Sequence, residues 1–301
     1  MSVRVGIGWG PFGGDGLAAD RFFGVVERIE ELGYDSIWLS DSATMAGPAP
    51  LAALAAVAAR TRRLKLGTNV LVAPARNPVL LAKELATVDA LSEGRLLPAF
   101  GLGIDAEPEA GAIGVPRAER AARTEEAIEI VRQLWAGGPV TYHGRFATLD
   151  GVRLSPAPIR PGLDIWLGGS SPAALRRTGR IADGWIGSFV SPDELAVCVE
   201  RIGEAAADAG RAIDDDHYGT TLFAAPSPAA LSPGARSLLS MRPSLAFDDH
   251  VAIGTEALHA LIGRFLEAGA SKFVLVPIAD DVLSWLEEVR FEVIEPVEQT
   301  A

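Results

Sequence analysis

The chain of 301 residues has a single cysteine, Cys198, so it cannot hold an internal disulfide framework. It also lacks a long apolar run. The longest, residues 48–59, is about a dozen residues, where a membrane span needs roughly 20. The opening Met1-Ser2-Val3-Arg4 does not lead a basic stretch into an apolar one, so secretion by a standard signal is not expected. Positive charge is in deficit, with 27 Lys and Arg against 39 Asp and Glu, which disfavours nucleic acid and anionic membranes as partners. The four histidines, at 143, 217, 250 and 259, show no familiar ligand spacing, and no metal is expected. Walker loop, G-x-S-x-G elbow and H-E-x-x-H are all missing. The expectation is a cytoplasmic protein with an ordinary packed core and a small-molecule substrate.

What is present is a beat. Short runs rich in β-branched residues, at 3–8, 36–39, 66–72, 96–102, 163–167, 185–188, 218–224 and 272–277, read as strands. Helical patterns follow them at 17–32, 50–61, 77–91, 118–135, from 171, from 191, at 256–267 and at 282–293. Three of these helices open with a cap residue followed by proline: Asn77-Pro78, Ser171-Pro172 and Ser191-Pro192. Eight strand–helix units over about 290 residues predict a single α/β domain over 1–301, a (β/α)₈ TIM barrel. Two stretches break the beat. Residues 140–154 read as a hairpin inserted after helix 4. Residues 226–251, after strand 7, are too long for an ordinary connection and read as a mobile lid.

Gly8-Trp-Gly-Pro-Phe-Gly13 formally matches the dinucleotide pattern G-x-G-x-x-G, and Gly101-Leu-Gly-Ile-Asp-Ala106 matches its alanine variant. A chain with 32 glycines produces such matches by chance. Pro11 interrupts the first, and several loop residues precede its helix. Glycines shaping a loop at the barrel mouth are the preferred reading.

In a (β/α)₈ barrel the site lies at the C-terminal strand ends. Those ends carry Trp9, Asp41-Ser42, residues 69–74, Gly101 and Gly103 with Glu109 beyond, Gly168-Gly169-Ser170-Ser171, and Gly187-Ser188. This glycine-rich mouth with few charges suits a flat apolar ring held at its polar edge. Gly168-Gly169-Ser170-Ser171 feeds directly into a helix start, an arrangement that binds phosphate. Trp9 is the aromatic best placed to line a substrate pocket. Cys198 falls within a helix and reads as core.

The blocks Leu32-Gly-Tyr-Asp-Ser-Ile-Trp-Leu-Ser-Asp41, Leu66-Gly-Thr-Asn-Val-Leu71, Asn77-Pro-Val-Leu-Leu-Ala-Lys83, Asp89-Ala-Leu-Ser-Glu-Gly-Arg95, Leu167-Gly-Gly-Ser-Ser-Pro-Ala-Ala-Leu175 and Ala182-Asp-Gly-Trp185 together resemble the bacterial luciferase-like flavin oxidoreductases, over roughly residues 3–295. That resemblance implies a (β/α)₈ barrel with an insertion, a flavin or deazaflavin in the mouth, and often a homodimer; the almost unbroken apolar surface of helix 50–61 points to that helix and 78–91 as the dimer face. It implies an irregular bulge with a non-proline cis peptide at Asn69-Val70, behind the cofactor ring. It places Asp41, Ser42 and Glu109 as the catalytic set, with Gly101, Gly103, Gly168, Gly169, Ser170 and Ser171 binding the cofactor beside Asn69 and Val70.

Two departures matter. The deazaflavin branch typically has Asp-His after strand 2, whereas this chain has Asp41-Ser42. The luciferases place an arginine just beyond strand 4, whereas this chain has Gly103-Ile-Asp105. The overall pattern is closer to the members using coenzyme F420, which implies hydride transfer to or from a small hydrophobic substrate. An FMN-dependent monooxygenase is the alternative, and a flavin-binding protein without catalysis is a third reading. A metal-dependent barrel hydrolase is disfavoured by the scattered histidines.

Overall fold

A computed structural model describes residues 3–10 and 18–300. Part of the first glycine motif, residues 11–13, lies outside them, as does the expected helix start at Leu17. The elements run β1 (Arg4–Trp9), α1 (Ala19–Glu31), β2 (Ser36–Leu39), α2 (Pro50–Arg60), β3 (Lys65–Thr68), β4 (Leu71–Val72), α3 (Pro78–Leu91), β5 (Leu96–Leu97), β6 (Ala99–Gly101), α4 (Glu109–Ile113) and α5 (Arg117–Trp135). Then come β7 (Val140–His143), β8 (Thr148–Val152), β9 (Trp166–Gly168), α6 (Pro172–Ile181), β10 (Gly184–Ser188), α7 (Pro192–Asp208), β11 (Tyr218–Ala225), α8 (Pro233–Leu239), β12 (Val251–Ile253), α9 (Thr255–Glu267), β13 (Lys272–Pro277), α10 (Val282–Val289) and α11 (Glu295–Thr300).

The main sheet is wholly parallel and follows the order β4-β6-β9-β10-β11-β13-β1-β2-β3-β5, with β12 beside β11. Such a sheet needs helices on its outer face, and the chain supplies one in nearly every crossover. Two expected strands are each split. The third breaks at Asn69-Val70, where the peptide bond is cis as expected, so β3 pairs with β5 and β4 with β6. The fourth breaks at Pro98, which has no N–H to give a ladder. A side chain bridges the gap: Thr68 Oγ1 accepts from the Ala99 N–H at 2.9 Å and donates to the Ala99 carbonyl at 2.8 Å.

The expected hairpin at 140–154 is present as the antiparallel pair β7–β8. The stretch 226–251 is not a bare loop, since it contains α8 and ends in β12. The last expected helix stops at Val289 and continues through a π-helical turn, Arg290–Ile294, into α11.

Burial separates two apolar layers. The larger lies between sheet and helices and includes Val26, Ile29, Leu54, Leu81, Leu85, Ile202, Leu261 and Leu286. A smaller cluster of strand residues, Trp38, Ala99, Trp166, Ile186 and Val274, fills the concave side. Gly67 admits the Trp38 ring, because a Cβ there would sit 2.2 Å from it. With its floor filled by these rings, the concave side is open to ligands only toward the C-terminal strand ends. Among the described residues no helix is long and apolar enough to cross a membrane.

Candidate active site

A cavity of about 510 Å³ opens at the C-terminal ends of the strands. Its wall is mostly apolar: Val70, Val72, Phe100, Ile186, Phe189, Phe223 and Val276 from the strand ends, Met45 and Ile104 from loops, and Leu238 and Met241 from the 226–251 segment. That segment therefore covers the cavity. Arg242 anchors it, donating to Glu194 and to the Phe189 carbonyl at 2.7 and 2.8 Å.

Of the residues expected to bind cofactor, Asn69, Val70, Gly101, Gly103 and all of Gly168–Ser171 line this cavity. The geometry explains two of the glycines differently from the sequence. A Cβ on Gly101 would lie 2.3 Å from Val70 Cγ2, and one on Gly168 would lie 3.0 Å from Val70 Cγ1. They make room for the side chain at the cis peptide, rather than for a ligand directly. Gly169 is different: its φ of +103° belongs to glycine, and its carbonyl accepts from Trp185 Nε1 at 2.9 Å. The turn is thus pinned just before Ser171, whose side chain caps α6 by accepting from the Ala174 N–H. Pro172 at the first helical position has no N–H, and those of Ala174 and Leu175 are taken by the Ser171 side chain and carbonyl.

Arg177, which sequence reasoning missed, lines the same cavity from further along α6. Only 7% of its side chain is exposed and its Nε has no hydrogen-bond partner; the nearest carboxylate oxygen, on Glu125, is 3.5 Å away. Burial lowers the guanidinium's pKa, and Glu125 opposes that. Helical spacing could have found it, since Ser171, Ala174 and Arg177 follow one another on one face of α6 and all line the cavity. A buried cation whose Nε makes no hydrogen bond, and whose ion-pair partner Glu125 is shared with Arg180, fits a phosphate at the glycine turn. Among the described residues it is the only cation lining the cavity.

The three residues expected to be catalytic are placed otherwise. Asp41 lines the cavity, but one carboxylate oxygen accepts from the Val72 N–H and from Arg76, both at 2.9 Å, so it ties β4 to the strand-2 loop. Ser42 also lines the cavity, yet its hydroxyl is fully used. It donates to Glu109 at 2.8 Å and accepts from the N–H groups of Met45 and Thr44 at 3.0 and 3.2 Å. Glu109 is buried and does not line the cavity. Burial alone would raise its pKa, but hydrogen bonds from the Thr44 hydroxyl, the Ala43 N–H and Ser42 outweigh that and hold it below the usual value. Ser42 and Glu109 thus build the loop 42–45, Ser42 on the cavity wall and Glu109 outside the lining. Trp9 is likewise absent from the wall, its ring lying edge-on to Phe22 at 5.1 Å.

The polar groups that do face the cavity form a different chain. Ser40 Oγ donates to the Asn69 carbonyl at 3.0 Å, Asn69 Nδ2 donates to Thr221 Oγ1 at 2.8 Å, and Ser188 Oγ bonds Thr221 Oγ1 at 3.0 Å. One hydroxyl proton is spent between Ser188 and Thr221, which leaves the other for a bound oxygen or nitrogen. Thr221 was legible only as period two in β11, where Thr221 and Phe223 share the inward face. Asp214, Asp216 and His217 lie close enough together to ligate a cation, but they precede β11 at the opposite end of the sheet, and Arg4 pairs with Asp216 at 2.8 Å.

The family model for luciferase-like monooxygenases matches residues 7–260. An F420-dependent glucose-6-phosphate dehydrogenase from Microbacterium testaceum is 36% identical over 203 residues, which is 64% of this chain and 60% of that protein. An uncharacterised protein from Mycobacterium tuberculosis is 39% identical over 160 residues, 52% of this chain and 54% of its own. The chain thus spans between half and three fifths of the length of these curated relatives. A solved F420-dependent secondary alcohol dehydrogenase, in complex with an F420–acetone adduct, has the same fold, with a TM-score of 0.81 at 21% identity, covering 98% of this chain and 99% of that one.

Proposed function

This chain belongs to the luciferase-like monooxygenase family, and from that premise we propose that it is an oxidoreductase using coenzyme F420 to transfer a hydride to or from a small hydrophobic organic substrate. The observation that carries this reading is the apolar cavity lined by the glycine turn 168–171 and by one cation among the described residues, the buried Arg177, whose Nε makes no hydrogen bond. The turn 168–171 and Arg177 would hold the cofactor phosphate. Asn69, Val70, Gly101 and Gly103 would flank its flat ring. When bound, the deazaflavin supplies the carbon that gives or takes the hydride.

The protein's part is orientation and exclusion of water. Leu238 and Met241 close the cavity over the substrate side, and the Ser188–Thr221 pair offers its spare proton to a substrate oxygen. The sugar phosphate used by the glucose-6-phosphate dehydrogenase relatives does not suit this cavity. Among the described residues Arg177 is the one cation lining the cavity, so it serves one phosphate and leaves none for a second.

The rest of the architecture belongs to the same proposal. The sheet is a closed (β/α)₈ barrel, with insertions after helix 4 and after strand 7, in one domain over 1–301. Support comes from the sheet path, whose two ends are the halves of strands 3 and 4. The enzyme works in the cytoplasm as a homodimer through α2 and α3. Leu80 and Leu91 of α3 are 61% and 59% exposed, although the large apolar side chains of α2 already pack within the chain.

The test is anaerobic mixing of the enzyme with reduced F420 and a panel of uncharged ketones and aldehydes, followed by the return of the oxidised cofactor's visible absorption. Turnover on apolar carbonyls and none on sugar phosphates is expected. Turnover only with FMN and dioxygen would replace this reading with the monooxygenase. Cofactor binding without turnover on any carbonyl or alcohol would leave a flavin-binding protein.

A further inference from the structure

His250 closes the segment that covers the cavity, and it is only 1% exposed. Both of its ring nitrogens meet backbone carbonyls: Nδ1 lies 3.1 Å from the Ala246 oxygen and Nε2 lies 2.9 Å from the Leu239 oxygen. A neutral imidazole has one N–H, so it donates to one of these carbonyls and turns a lone pair on the other. The imidazolium donates to both. The ring therefore joins the C-terminal end of α8 to the turn before β12. Leu238 and Met241, on either side of Leu239, line the cavity. The surroundings suit a cation, since the Phe189 and Phe247 rings lie 5.5 and 5.9 Å away, centroid to centroid. Phe189 also lines the cavity, so the histidine packs against the wall itself.

The charges on the elements around His250 are engaged elsewhere or exposed. Asp249 is held by Arg264 of α9 at 2.6 Å, and Arg242 by Glu194 of α7 at 2.7 Å. Asp248 is exposed, and Arg236 of α8 donates to the Pro228 carbonyl. Residues 223–225 of β11 and the whole of β12 carry no charge.

We propose that His250 is a positioning residue for the segment over the cavity, latching both carbonyls only while its ring carries two protons, so that closing over a substrate takes up a proton. That the segment closes on a substrate rests on the function proposed above. The sign is fixed by the donor count: protonation and closure favour one another. Closure therefore strengthens as pH falls through the range where imidazoles titrate, about pH 5 to 8, and loosens as pH rises through it. On loss of the second proton the ring lets go of one carbonyl, and the hold on Leu238 and Met241 weakens.

The experiment is nitrogen-15 NMR of the full chain at about pH 5.5 and about pH 8, which brackets the imidazole range, in wild type and His250→Phe. Phenylalanine keeps a ring and removes both donors; it also assigns the His250 signals by their loss, and melting temperatures confirm that it is folded. In wild type both ring nitrogens should carry protons at the lower pH and one at the higher, with the amide signals of 238–247 moving in step. The KM for an uncharged carbonyl substrate should rise roughly threefold to tenfold over the same change, the worth of one hydrogen bond, while kcat moves less. In the variant KM should stay at its high-pH value throughout. One neutral tautomer at both pH values, or segment signals that move equally in the variant, overturns the latch. If no carbonyl turns over, the proposed function fails, and the NMR measurement, which needs no turnover, still decides the latch. If the variant does not fold, the proton count and the amide signals of the wild type decide it.

Discussion

At the N-terminal end of the sheet, Asp35 meets Lys65 at 2.6 Å and Lys272 at 3.3 Å, and Lys272 is almost wholly buried. At the C-terminal end Arg177 is nearly as buried, yet no N–H of it finds an acceptor among the described residues. The two ends belong to one sheet and draw on the same residue types. They differ in how fully charge is satisfied: Asp35 hydrogen-bonds both lysines, whereas Arg177 has only a 3.5 Å ion pair with a Glu125 that Arg180 also holds. A buried cation that the fold has bonded well holds the fold together, whereas one with unsatisfied N–H groups costs stability that a ligand returns on binding. Asp41 and Glu109 show the same logic from the other side. Glu109 has both carboxylate oxygens spent on the loop 42–45, and one oxygen of Asp41 is held by Val72 and Arg76, so both support the wall.

The strongest break in this contrast comes from Asp35→Asn, which leaves Lys272 buried against a neutral partner. Chemical denaturation should show a loss of about 3–5 kcal/mol with cofactor affinity unchanged, whereas Lys272→Met should be close to neutral. Next is Arg177→Met. Loss of a charge-assisted seat should weaken cofactor binding roughly 10- to 100-fold in an equilibrium titration, with a melting temperature equal to or above wild type. A clear drop in melting temperature would place Arg177 with the paired charges instead.

Glu109→Gln should have a smaller effect, about 1–2 kcal/mol, because one amide oxygen still accepts from the loop. Its pH signature sharpens the point. With a pKa held below the ordinary 4.5, Glu109 contributes stability above that value and loses it as pH falls through its lowered one. Acid titration of wild type against the variant should show that difference, and its absence would mean the loop is held otherwise. A second pH signature concerns Lys272. Burial pushes its pKa down to about 8 from the usual 10.5, with Asp35 acting against the shift. Between those values the folded chain binds fewer protons than the unfolded one, so stability should rise with pH there, and the rise should be missing in Lys272→Met.

The fold was largely legible because its signals are local. The caps at Asn77, Ser171 and Ser191 all accept from the helix N–H groups that follow them, and Ser191 with Glu194 forms the full capping box. The hairpin at 140–154 showed as a break in the strand–helix beat, and the cis bond at Asn69-Val70 followed from family resemblance. The turn 168–171 was legible as well, being contiguous in sequence. What stayed hidden depends on contacts across long separations. Nothing near Ser42 in the sequence says that Glu109, 67 residues on, takes its proton. Nothing near Asn69 points to Thr221, 152 residues away. Arg177 looked like one of several arginines on α6 until burial separated it from Arg176 and Arg180.

The most direct test is a binding titration of F420 and FMN, each against wild type and Arg177→Met, read by the cofactor's own absorption and fluorescence. Tight binding of F420 by the wild type, weaker binding of FMN, and loss of F420 affinity in the variant without loss of folded protein are the expected results. No spectral change with F420, or equal F420 affinity in the two proteins, would contradict a deazaflavin site built around Arg177, the cation lining the cavity among the described residues.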